Sequence, residues 1–326
     1  MTKSSLEEQQ QLIHVDKIHA GERLDRVLAV YFPELSRSRL QAWIKNQQVK
    51  VNDEIVIKPK HKILGDELLE VVTTLEDQGE WQASDIPITI HYQDEAIIIV
   101  NKPAGLVVHP APGHYTDTLV NGLLYLFPEL RKLPRAGVVH RLDKDTTGLL
   151  VVARTAEAHN HLVSELQDRA FKREYLALVH GEIVAGDTID YPIGRHAVNR
   201  KKMAVNAQGK EAITHFRIGE KFNDFTLVQV KLETGRTHQI RVHFSHLKHP
   251  LVGDPVYCIR NLKPKGMSEK FEQVLAGFQR QALHARTLGL THPVSGEWME
   301  WECEVPADIE LLLEAIRQHD KLHEKH

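Results

Sequence analysis

The stretch that most constrains the chain is RAGVVHRLDKDTTGLLVVART, from Arg135 to Thr155. Val138-Val139 and the run Leu149 to Ala153 are short and β-branched enough to read as strand ends. Between them lies a polar loop, His140 to Thr147, closed by Gly148. Loops held between rigid strands often carry catalytic groups. Here a carboxylate, Asp143, has Arg141 two residues before it and Lys144 directly after it. From these residues alone, a tight connection in which Asp145 and the two threonines bond the backbone is the better account.

The N-terminal part is a different kind of chain. Residues 1–14 are polar and read as a disordered tail. Leu24, Val27, Leu28 and Tyr31 recur at i, i+3, i+4 and i+7, which predicts a helix ended by Pro33. Ser36 or Ser38 would cap a second helix carrying Leu40, Trp43 and Ile44. Short strands follow at Val49 to Val51, Ile55 to Ile57 and Leu68 to Val72, with turns at Asn52-Asp53 and Gly65-Asp66. Between Ser36 and Lys62 seven basic residues face two acidic ones, among them Arg37, Arg39, Lys45 and Lys50. Since the whole chain carries a net charge of −3, nucleic-acid binding would have to rest on local patches of this kind. The stretches ERLDRVLAVYFPELSRSRLQAWIKNQQVKVND and KILGDELLEV resemble the S4 RNA-binding domain (αL type) across residues 15–72, which implies RNA contact through Arg37 and Arg39 at the helix start and through the adjacent strands.

Residues 73–87 lack periodicity and read as a linker to a second domain, 88–326. Its expected elements are strands at Ile88 to Ile90 and Ala96 to Val100, and helices at Thr118 to Tyr125 and Thr155 to Arg169. A strand carrying Tyr175 follows. A second basic segment, 194–217, holds Arg200, Lys201 and Lys202. Thr237 is a plausible N-cap for a helix with Ile240, Phe244 and Leu247 on its apolar face and Arg241 at its edge. A final amphipathic helix starts near Asp308.

The segments VVHRLDKDTTGLLVVA, KREYLALV, LETGRTHQIRVHFSHLKHPLVGDPVY and RQALHA resemble the RluA-type RNA pseudouridine synthases. The resemblance implies an α+β fold with a large mixed, mostly antiparallel sheet and a central cleft. It makes Asp143 the catalytic carboxylate, Arg241 its ion-pair partner with Arg236 the weaker candidate, and Tyr175 the ring that stacks on uracil and takes part in removing the C5 proton. Leu283 would pack on the other face of the base. Arg141 would fill the space left by a flipped nucleotide, with His140 beside it at the substrate. Within the family, the S4 module and the GDPVY-to-PKG segment point to members acting on large-subunit ribosomal RNA or a pre-ribosomal particle, at several uridines of one stem-loop, helix 69 of the 23S RNA.

Other classes fit less well. No run of apolar residues exceeds six, so no segment reads as a membrane span. Two cysteines suit a reducing cytoplasm. The 21 histidines are scattered, without an HExxH or Cys/His cluster, and no cofactor motif appears, so neither metal nor cofactor is expected. A monomer is the default. A non-catalytic S4-type RNA-binding factor would explain the basic patches but would not require Asp143, Tyr175 and Arg241 together. A hydrolase pairing Asp143 with Asp145 would set its carboxylates too close in sequence to straddle a substrate.

Overall fold

A computed structural model describes residues 8–32, 37–74, 81–111, 113–199, 202–258, 262, 264 and 266–323. The chain divides into two compact units, 1–81 and 82–326.

In the first unit, helices α1 (Leu24–Tyr31) and α2 (Arg37–Lys45) lie with a four-stranded sheet of order β1-β4-β2-β3: β1 Glu8–His14, β2 Val49–Val51, β3 Glu54–Ile55 and β4 Leu68–Thr74. The periodic residues Leu24, Val27, Leu28, Leu40, Trp43 and Ile44 form its core with Val49, Ile63, Leu69 and Val71. Asn52 and Asp53 both take positive φ (51° and 66°), the turn that joins two adjacent strands with matching twist. The expected tail is corrected from Glu8 on. Residues 8–14 pair antiparallel along the whole of β4, from Glu8 opposite Thr74 to His14 opposite Leu68. Hydropathy misses this strand because it lies at the sheet edge, where backbone pairing holds it and polar side chains are tolerated.

The expected linker is corrected as well. Ser84 N–H donates to the Asn121 carbonyl (3.0 Å), and Asn121 Nδ2 donates to the Gln82 carbonyl (2.7 Å). Ile86 and Ile88 press on Gly122 so closely that a Cβ there would meet Ile88 Cδ1 at 2.7 Å. Residues 82–88 are therefore laid on helix α3 (Leu119–Leu126), whose N-cap Thr118 forms a capping box with Asn121.

The second unit is built on a nine-stranded sheet. Its strands are β5 (Thr89–Gln93), β6 (Ile97–Lys102), β7 (Thr147–Ala153), β8 (Lys172–His180), β9 (Asp187–Asp190), β12 (Ile213–Lys221), β13 (Phe225–Leu232), β14 (Leu283–Thr291) and β15 (Trp298–Glu302). The order is β5-β6-β7-β14-β8-β13-β12-β9, with β15 also on β14. Only β7 and β14 pair in parallel; the other pairings are antiparallel, as the mixed-sheet expectation requires. Strands β10 (Ile193–Arg195) and β11 (Met203–Val205) form a separate hairpin. Helices α4 (Ala156–Gln167), α5 (Gln239–His246), α6 (Glu269–Gly277) and α7 (Ala307–His323) complete the unit. Thr155 caps α4, whose Ala158 and Leu162 enter the core against Leu149, Val151 and Ala153 of β7.

Strand β7 is buried at all seven positions, starting at Thr147, so the polar loop is rooted directly in the middle of the sheet. Among the described residues no helix is long and apolar enough to cross a membrane.

Candidate active site

Asp143 sits at the turn before β7, where Thr146 N–H closes the loop onto its carbonyl (3.1 Å). Its side chain keeps 15% exposure, enough to meet a ligand from the open side. Arg241 Nη1 donates to Asp143 Oδ2 at 2.9 Å. The rest of that guanidinium is committed to a second carboxylate. Nε donates to Asp254 Oδ2 (2.7 Å) and Nη2 to Asp254 Oδ1 (2.9 Å), while the Tyr257 ring lies 5.0 Å from its carbon. Asp254 is buried and also accepts the N–H groups of Val256 and Tyr257. Two hydrogen-bonded carboxylates hold Arg241 protonated, its affinity for the proton raised despite burial.

The loop carrying Asp143 is tied at every residue to Thr147. Lys102, fully buried at the end of β6, donates from Nζ to the carbonyls of Pro103 (2.8 Å), Leu106 (2.9 Å) and Lys144 (2.8 Å). Arg280 Nη1 donates to the Asp145 carbonyl (3.1 Å) and is itself clamped by Asp308. Gln281 Nε2 donates to Thr146 Oγ1 (3.1 Å), and Thr147 Oγ1 shares a bond with His284 Nδ1 (2.9 Å). Five consecutive residues are thus fixed by groups from β6, α5, the approach to β14 and β14 itself. Burial pushes Lys102 down to about 7, partly offset by Asp145 and Asp143, and lowers His284 to about 4.

Tyr175 is buried on β8, opposite Ala285 of β14. Leu283, two residues earlier, faces the same side of the sheet, diagonal to the tyrosine. Burial raises the Tyr175 phenol, with Arg173 opposing and the Asp143 carboxylate adding to the rise. Asp143 and Arg241 are thus bonded, Tyr175 lies within electrostatic reach of Asp143, and Leu283 shares the tyrosine's face of the sheet.

Other expected residues are placed differently. Arg236 does not pair with Asp143: its Nε donates to the Glu211 carbonyl (2.8 Å). His140 faces inward. Its Nε2 accepts the Val151 N–H (3.1 Å), its ring meets Phe171 edge-on, and desolvation lowers it to about 3. Arg141 is exposed beside the cleft. Helix α5 does not begin at a Thr237 cap. Its N-cap is His238, in the left-handed region, and the Gln239 side chain organises the corner by bonding Thr234, Arg236 N–H, the Ile213 carbonyl and Thr214.

In the first unit Lys45 is exposed, and Lys50 is paired with Glu70 at 3.0 Å, which takes it out of the free basic face. Arg37 and Arg39 fall in α2, with their side chains outside the described residues. Arg200 and Lys201 also lie outside them. Lys202 donates to the Val256 carbonyl (2.7 Å), so it pins the β10–β11 hairpin to the loop after Asp254.

Sequence reasoning did not single out Asp254, Tyr257, His238, Lys102 or His284. Asp254 and Tyr257 stood inside the GDPVY motif, but nothing in spacing shows that a residue 13 positions after Arg241 bonds its guanidinium.

The chain matches the RNA pseudouridylate synthase family over residues 96–246 and the S4 domain over 22–69. It is 50% identical over 309 residues to the ribosomal large subunit pseudouridine synthase D of Escherichia coli K12, covering 95% of each chain. To the protein of the same name from Pseudomonas aeruginosa it is 54% identical over 298 residues, 91% of this chain and 93% of that one. The chain belongs to the RNA pseudouridine synthases. The Haemophilus influenzae relative, also a ribosomal large subunit pseudouridine synthase D, shares 50% identity over 91% of this synthase and 92% of its own length. Among solved structures, human RNA pseudouridylate synthase domain containing 1 superposes with a TM-score of 0.52 at 28% identity, covering 72% of this synthase and 96% of that chain. Human RNA pseudouridylate synthase domain containing 4 gives 0.55 at 25% identity, covering 70% and 93%.

Proposed function

We propose that this synthase isomerises uridines of large-subunit ribosomal RNA, at several positions of one stem-loop, helix 69. The observation that carries the chemistry is the Asp143 carboxylate, bonded through one oxygen by Arg241 and leaving the other free, beside a face made by Tyr175 and Leu283. The relatives' names carry the RNA class.

The target atom is out of reach within a stem, so the nucleotide is flipped out, and the exposed Arg141 offers a planar cation to stack where it stood. Asp143 engages the ribose while the C1′–N1 bond breaks. The freed uracil turns between Tyr175 and Leu283, a C5–C1′ bond forms, and the proton lost from C5 to water is matched by one taken up from water at N1. With its phenol raised by burial, Tyr175 meets the base as a neutral ring, which suits stacking better than proton removal. Arg241 sets its guanidinium 2.9 Å from Asp143 and fixes the orientation of the carboxylate. The S4 unit supplies phosphate contacts through α2, and the β10–β11 hairpin a second basic surface. As a ribosomal RNA enzyme it acts in the cytoplasm, as a monomer.

The test is pseudouridine mapping of ribosomal RNA from cells lacking the protein, complemented with wild type or Asp143→Asn. Loss at a few large-subunit uridines, restored only by wild type, is the expected result. An unchanged map would remove this RNA as the substrate.

A further inference from the structure

His238 is held in a costly conformation for no purpose of the helix it caps. Its φ of 57° and ψ of 23° lie in the left-handed region, and its side chain makes no capping bond. Asn or Gly takes this conformation more readily than His. Strain of this kind persists where the surroundings require it, most often at functional sites.

The imidazole bridges two groups of the site. Nδ1 is 2.8 Å from the Tyr257 hydroxyl, and Nε2 is 3.9 Å from Asp143 Oδ1, the oxygen that Arg241 does not bind. The Tyr257 hydroxyl accepts the Met203 N–H at 3.0 Å, which leaves its own proton for Nδ1. A neutral imidazole that accepts at Nδ1 carries its proton at Nε2. The N–H then points to the free oxygen of Asp143. Burial lowers His238 below its ordinary value and favours the neutral ring; Asp143 and Asp254 oppose this, while Arg241 and Arg141 assist it.

We infer that His238 is a positioning residue of the isomerisation: its Nε2–H holds Asp143 Oδ1 once the flipped uridine occupies the cleft, so the carboxylate is oriented from both sides. The inference rests on the isomerase reading of the Asp143 cleft. At 3.9 Å the bond is open by about an ångström, a gap that catalytic sites commonly close on binding substrate. A neutral donor suits the task. A second full cation beside Arg241 would stabilise the carboxylate further and blunt its reaction with the sugar. Because Met203 belongs to β11, the same line of contacts runs from the basic hairpin to Asp143.

The test combines single-turnover tritium release from [5-³H]uridine in a large-subunit RNA transcript with long-range ¹H–¹⁵N spectra of the histidine rings. His238→Asn tolerates the backbone but its amide is too short to reach Asp143. It should keep RNA affinity and slow the rate roughly 10- to 100-fold, the range for losing one hydrogen bond to a charged group. His238→Gln restores a donor at the right reach and should recover to within about threefold of wild type. The spectrum of wild type should show His238 protonated at Nε2, a pattern lost in Tyr257→Phe. A wild-type rate in His238→Asn, or an Nδ1–H ring, overturns the inference. A wild-type protein inert on this RNA would instead strike the substrate reading, and the spectrum would still decide the tautomer.

Discussion

Arg241 is shared between two carboxylates: Nη1 donates to Asp143 at 2.9 Å, and Nε and Nη2 bracket both oxygens of Asp254 at 2.7 and 2.9 Å. The fork geometry of the guanidinium makes this sharing possible, and a lysine has only a point charge to offer. Asp254 thus fixes where the cation that bonds Asp143 stands.

Replacing Asp254 tests that dependence. Asp254→Ala leaves a buried guanidinium with one partner and should cost about 3–5 kcal/mol in urea denaturation, as for other broken buried pairs. Asp254→Asn keeps the shape and should fold, with a single-turnover rate lowered about tenfold or more and RNA affinity nearly unchanged. An unaltered rate in Asp254→Asn would separate it from the site.

Gly148 is required where the loop enters β7. Its φ is +113°, and a Cβ would fall 2.1 Å from the Ala285 carbonyl oxygen of β14. Gly148→Ala should therefore destabilise by about 3 kcal/mol or more, among the larger effects of single substitutions. Gly277→Ala, where nothing lies within 4 Å and φ is ordinary, should be close to neutral. The two thermal midpoints, read side by side, check both statements.

Lys102 makes stability depend on pH. Its folded value near 7 lies below the unfolded value of about 10.4, so between these limits the unfolded chain binds more protons and stability rises with pH. The stability difference between wild type and Lys102→Met should grow across that window, with a slope of up to about 1.4 kcal/mol per pH unit, and be flat below it. Denaturation at several pH values decides it. The same variant loses the bond to the Lys144 carbonyl and should slow the isomerisation.

The phosphate-facing role of the S4 unit is tested by salt. Replacing Arg37, Arg39 and Lys45 with alanine should weaken RNA binding and reduce the dependence of log K on log salt by about 0.7–0.9 for each phosphate no longer neutralised. Lys50→Ala should do less, because Glu70 already neutralises it.

Much of this was legible in the sequence. Apolar periodicity located α1, α2, α3 and α4, and the family motifs singled out Asp143 and Arg241, which are hydrogen-bonded, and Tyr175 and Leu283, which share a face of the sheet. What stayed hidden was carried by the backbone or by distant pairs. Strand β1 pairs through its main chain despite polar side chains. Residues 82–88 look featureless until α3 is there to receive them. His140 sits next to Arg141 in sequence, yet the chain turns its ring to Val151 while Arg141 faces out. Lys102 reads as an ordinary turn lysine, because three carbonyl partners for one ammonium have no sequence signature.

The most direct test of the account is tritium release from [5-³H]uridine-labelled large-subunit RNA by purified wild type and Asp143→Asn, with RNA affinity and denaturation midpoint measured on the same samples. Forming the C5–C1′ bond expels the C5 hydrogen, so release reports the isomerisation itself. Asp143→Asn is expected to bind RNA and fold as wild type does and to release no tritium. Release within tenfold of wild type would contradict it and remove Asp143 from the centre of the reaction.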